Sequence, residues 1–92
     1  YILLDFHNYD CASINELWYS SGYSEQDWIA DLAFVAERYE GLDSFAGIDI
    51  KNEPHGPATW GTGNPATDWK LAAEKAARAV LDVNPDILIF VQ

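Results

Sequence analysis

The residues with the clearest capacity for chemistry sit together in Lys51-Asn52-Glu53-Pro54-His55, directly after the apolar run Phe45 to Ile50. A run of that length suits a buried parallel strand, and Pro54, with no backbone N–H, ends the ladder just past Glu53. Glu53 is therefore expected at a carboxyl-terminal strand edge. In open α/β sheets and (β/α) barrels, ligands and catalytic groups gather at such edges, because the loops vary while the strands hold them rigidly. A second run, Tyr1 to Phe6, ends in Asp5-Phe6-His7-Asn8 and brings polar residues to another strand end. Asp5 and His7 share one strand face, but without further His or Cys at ligand spacing no metal site is expected. No serine nucleophile elbow and no glycine-rich phosphate loop is present, and no cofactor is implied.

Two helices are expected between the strands. Ser24 with Asp27 forms a capping-box pattern, and Trp28, Leu32, Val35 and Tyr39 recur on one face, with Gly41 as the C′ residue. Trp69, Ala73, Ala76, Val80 and Val83 form a second stripe that Asn84-Pro85 ends. A Pro/Gly/Thr-rich loop, residues 54–67, precedes that helix, and Ile87 to Val91 reads as a third strand. The order β-α-β-α-β without a hairpin signal implies parallel strands joined by crossovers. Trp28 and Trp69 are expected in the core; Trp18 and Tyr19, in the loop after the first strand, are read as packing in preference to sugar stacking.

Fifteen acidic against five basic side chains give a net charge of −10, which excludes a nucleic-acid partner bound through Lys/Arg patches and disfavours an anionic membrane surface. A neutral polymer such as a polysaccharide remains compatible. With 49% hydrophobic and 22% charged residues the composition is globular, and no stretch approaches the roughly 20 apolar residues of a membrane helix. Cys11 is the sole cysteine, so no internal disulfide can form. The chain starts and stops within apolar runs, and three parallel strands with two helices supply only part of a closed barrel. Residues 1–92 are thus expected to be one partial domain, whose outer strand edges could recruit further strands and favour self-association.

Asn52-Glu53-Pro54 after an apolar strand resembles the strand-four signature of the (β/α)8 glycoside hydrolases. The flanking residues resemble glycoside hydrolase family 5, its secreted bacterial endoglucanases above all. Ile2-Leu3-Leu4-Asp5-Phe6-His7 is similar to the family's third strand with its terminal His. Asp10-Cys11, Leu17-Trp18-Tyr19, Trp28-Ile29-Ala30-Asp31-Leu32, Trp69-Lys70-Leu71-Ala72-Ala73-Glu74 and the run from Asn84 to Val91 follow in the family's order. The resemblance covers the whole chain and implies strands three to five of a (β/α)8 TIM barrel. It further implies a secreted enzyme acting on β-glucan polysaccharide. Glu53 would be the general acid/base, Asn52 would bind the sugar hydroxyl beside the cleaved bond, His7 would line the same subsite, and Trp60 could stack on a pyranose ring. His55 lies in the match without an assigned role. Two departures stand out: the cysteine pair that such relatives often carry is replaced by Thr59 and Thr62, and the family's nucleophilic Glu, from strand seven, has no counterpart here.

Hydrolysis with retention needs two carboxyl groups about 5 to 5.5 Å apart, one protonating the leaving oxygen and one attacking the anomeric carbon. Glu53 fits the first role. The contrasting reading is a non-catalytic carbohydrate-binding or scaffold fragment in which Trp60, Trp18 and Tyr19 touch sugar; such modules are usually β-sandwiches, which two helical stripes oppose.

Overall fold

A computed structural model describes residues 1–12 and 14–92. Strand β1 (Ile2–Asp5), helix α1 (Glu25–Arg38), strand β2 (Phe45–Asp49), helix α2 (Trp69–Val83) and strand β3 (Leu88–Phe90) follow in that order. The strands form one parallel sheet in the order β1-β2-β3, as the element order predicts. Each strand is shorter than its apolar run by one to two residues, although Phe6 and Ile50 still donate their amides across the sheet.

Register separates the two faces of the sheet. Leu4, Ile48 and Ile89 are aligned across the three strands and pack into the core with the helices. Leu3, Gly47 and Leu88 share the opposite face, as do Asp5, Asp49 and Phe90. Gly47 is needed there: a Cβ would lie 2.8 Å from a Phe90 ring carbon and 3.0 Å from the Leu88 carbonyl oxygen.

The predicted capping box is present at both ends of its exchange. The Ser24 hydroxyl accepts from the Asp27 amide at 3.0 Å, and the Asp27 carboxylate accepts from the Ser24 amide at 2.9 Å. These bonds hold the Asp27 carboxyl below the usual carboxylate range. The buried face of α1, however, is Trp28, Leu32 and Ala36, with Tyr39 exposed at the cap. The helix ends one residue before that stripe closes. Gly41 does adopt a left-handed φ of 80°, but two residues beyond the cap rather than one, so it reverses the chain toward β2 instead of closing the helix itself.

Helix α2 buries Trp69, Ala72, Ala73, Ala76 and Val80. Its small residues let α1 approach, and Asn84 beyond it donates from its side-chain amide to the Ala36 carbonyl at 3.1 Å. Three tryptophans, Trp18, Trp28 and Trp69, meet with ring centroids 5.4 to 6.3 Å apart. Trp18 has no exposed surface and donates to Glu25 at 2.8 Å. Tyr19 donates its hydroxyl proton to the Ala66 carbonyl at 2.7 Å. Both therefore pack, and Trp18 is closed to any sugar. Among the described residues no helix is long and apolar enough to cross a membrane.

Candidate active site

Beyond the last ladder pair the β2 chain stays paired for three more residues. The Ile50 amide donates to the Phe90 carbonyl at 3.2 Å, and the Asn52 amide donates to the Phe6 carbonyl at 3.1 Å. Buried Trp28 holds the Ile50 carbonyl at 2.9 Å from the helix side. Extended pairing therefore carries Asn52 to the level of the β1 end, and Glu53 is the first residue free of it. Its φ is 42°, the one positive value for a non-glycine among the described residues. That conformation is sparsely populated by L-residues because Cβ crowds the following carbonyl. The surrounding bonds enforce it: the Glu53 amide donates to the Gln92 side-chain oxygen at 3.3 Å, and its carbonyl accepts from His55 Nδ1 at 2.7 Å. The Glu53 side chain itself is exposed.

His7 is oriented from its own strand. Nδ1 donates to Asp5 at 2.8 Å, a carboxylate that can only accept, so Nε2 is the nitrogen left for other partners. His7, Asn52 and Glu53 thus all lie just past the carboxyl ends of β1 and β2.

Three supporting groups are not signalled by any motif. Lys51 follows the apolar run and reads as a loop lysine, yet it has no exposed surface. Its Nζ donates to the carbonyls of His7, at 3.4 Å, and Asn52. Burial pulls its pKa down, while Asp5, Asp49 and Glu53 oppose that shift. Asp49 is buried within β2; one carboxylate oxygen accepts from the Gln92 amide, and the other has no partner among the described residues. Gln92 joins these parts, bonding Asp49 and Glu53 by its side chain while its backbone carbonyl accepts from Trp69 at 2.7 Å.

Trp60 lies outside this bonded cluster. It is 63% exposed, on a loop anchored to the start of α2. Buried Asp68 caps α2 and accepts from the amides of Gly61 (2.8 Å), Gly63 (2.7 Å), Lys70 (3.1 Å) and Leu71 (3.5 Å). Burial alone would raise the Asp68 pKa; these backbone bonds outweigh it and leave the carboxyl below the usual range. Gly61 and Gly63, at φ 73° and 80°, turn their amides inward as residues with a Cβ rarely do. The Thr59 hydroxyl is 2.9 Å from that of Thr62 and 3.0 Å from that of Thr67. The loop is closed by hydroxyl contacts where the resemblance places a cysteine pair. Among the described residues no group of His, Cys, Asp and Glu is arranged to hold a metal ion.

A left-handed glutamate thus follows an asparagine just past β2, and an imidazole oriented by its own strand stands just past β1. The family model described as Cellulase (glycosyl hydrolase family 5) matches residues 1–92. The chain belongs to glycoside hydrolase family 5. Within the family it is 59% identical, over all 92 residues, to the major extracellular endoglucanase of Xanthomonas campestris pv. campestris. It is 50% identical over 91 residues, 99% of the chain, to an endoglucanase of Paenibacillus polymyxa. The solved catalytic domain of the Xanthomonas enzyme superposes on the whole chain with a TM-score of 0.97. An endocellulase of Pyrococcus horikoshii, solved with cellotetraose, superposes on 98% of it with a TM-score of 0.93 at 45% identity. The chain spans 19% and 23% of the two curated relatives and 27% of each solved domain.

Proposed function

We propose that residues 1–92 form strands three to five of a (β/α)8 glycoside hydrolase domain that cleaves β-1,4-glucosidic bonds with retention. Glu53 is its general acid/base. Asn52 binds the 2-hydroxyl of the sugar next to the cleaved bond, His7 lines that subsite and Trp60 stacks on a glucose ring. The nucleophile comes from strand seven, outside this segment. The substrate is a β-glucan, and the enzyme acts outside the cell, a reading supported by the extracellular Xanthomonas relative.

The observation that carries this reading is the conformation of Glu53. A left-handed glutamate costs about 1 to 2 kcal/mol relative to ordinary backbone, and such residues persist where function holds them. Here the turn falls directly after Asn52, where the pairing of the β2 chain with the β1 end stops. In the first half-reaction Glu53 protonates the glycosidic oxygen as the nucleophile attacks; in the second it takes a proton from water.

The test uses the catalytic domain of the Xanthomonas endoglucanase with residues 1–92 replacing the segment they match. The graft should hydrolyse cello-oligosaccharides and release the β-anomer first. Glu53→Ala should slow substrates with poor leaving groups by about 10³-fold, spare activated aryl glycosides, and yield β-glycosyl azide when azide is added. An α-anomeric product, or equal loss on both substrate types without azide rescue, would overturn the assignment.

A further inference from the structure

We propose that Lys51 is a positioning residue of this site: a buried ammonium that ties the ends of β1 and β2 through the carbonyls of His7 and Asn52 and sets the charge felt by Glu53. The inference rests on the reading of Glu53 as acid/base. Three observations carry it.

Lys51 is fully buried, although lysine is almost never found so without a partner of opposite charge in direct contact. Its ammonium donates to two backbone carbonyls, of His7 and Asn52, the residues that on the proposed reading flank the sugar subsite past the ends of β1 and β2. One cation thus fixes the spacing of two binding side chains without touching substrate. The charged and titratable groups facing it are Asp5 and, by its backbone oxygen, His7 from the β1 end, Asp49 from β2, and Glu53 from the loop. Three carboxyl groups act on one ammonium, and Lys51 offsets part of the charge they can carry.

A lysine kept uncharged for folding alone would be replaceable by an apolar side chain of similar length. A lysine that balances carboxyl groups would not, because its loss makes each of them hold a proton to higher pH. The two roles separate in the pH profile.

The experiment compares the active graft with its Lys51→Met and Lys51→Arg variants, measuring kcat and KM for a cello-oligosaccharide across pH. Lys51→Met should lower kcat about tenfold or more, change KM by less than about threefold, and move the alkaline limb of kcat/KM upward by about half a pH unit or more. Lys51→Arg should leave that limb in place. Loss of folded fraction lowers apparent kcat but does not move a limb. If Lys51→Met leaves the limb where it was, or Lys51→Arg moves it equally, the inference falls while the Glu53 assignment stands. If instead Glu53→Ala shows no leaving-group dependence, the assignment falls and the inference with it. Should Lys51→Met show no cooperative melt, Lys51→Gln decides: it removes the charge and keeps a donor for the carbonyls, so the limb must move upward, and an unmoved limb overturns the proposal.

Discussion

The connection from β2 to α2 begins and ends in two different physical settings. At its start Lys51 is buried, Asp49 keeps one oxygen without a partner among the described residues, and Glu53 holds a left-handed backbone. At its end the Asp68 carboxylate collects four amides, three threonine hydroxyls meet, and the positive-φ positions nearby are glycines. The first setting accepts strain and buried charge; the second satisfies every group it gathers. On the proposed reading, the exposed Glu53 carboxyl must both give and take a proton, so the charges placed beside it matter most. On the same reading Trp60 only offers a flat face, and a firm support suffices.

Substitutions in the grafted domain can break or sharpen that contrast. The largest effect belongs to Glu53, with the roughly 10³-fold loss on poor leaving groups given above. Replacing Trp60 by Ala should raise KM for long cello-oligosaccharides by about tenfold, the order expected for one lost ring contact of about 1.4 kcal/mol, with kcat changed little. Steady-state kinetics on oligomers of increasing length checks this, and an unchanged KM would remove Trp60 from the cleft.

Glu53→Gly should be more stable than Glu53→Ala by about 1 kcal/mol, since only glycine adopts φ 42° without the Cβ clash. Matched urea melts read the difference, and equal midpoints would mean the backbone relaxes in the variant. Smaller still is the pH response of the α2 end. The Asp68 pKa is depressed in the folded state, so its contribution is fully present above the ordinary carboxylate pKa of about 3.9 and is lost as pH falls through the depressed value. Asp68→Asn should lower the melting midpoint near neutral pH and flatten its acid dependence. A variant that melts like the parent at every pH would show that the amides find water as readily as they find the carboxylate.

The sequence conveys what depends on local spacing. The Ser24–Asp27 exchange, the α2 stripe from Trp69 to Val80 and the parallel order of strands are all short-range patterns, and all appear in the fold. Asn52, Glu53 and His7 are recognisable because a motif and a strand end coincide. Lys51, Asp49 and Gln92 are not, since burial of a charge depends on groups about 40 residues away, such as the His7 carbonyl for Lys51 and the Gln92 amide for Asp49. The first stripe departs at one place for a different reason: Val35 packs against the core as expected, but periodicity cannot say which residue is the last to bury, and Ala36 took that place from Tyr39.

The Thr59–Thr62 contact has a consequence for when the Trp60 loop can form. A hydroxyl pair 2.9 Å apart requires no oxidant and no thiol exchange. Its closure keeps pace with the backbone rather than with disulfide chemistry, which takes seconds to hours. The sole cysteine, Cys11, is free and exposed, so no cross-link within this segment ties the presentation of Trp60 to the redox state of its surroundings.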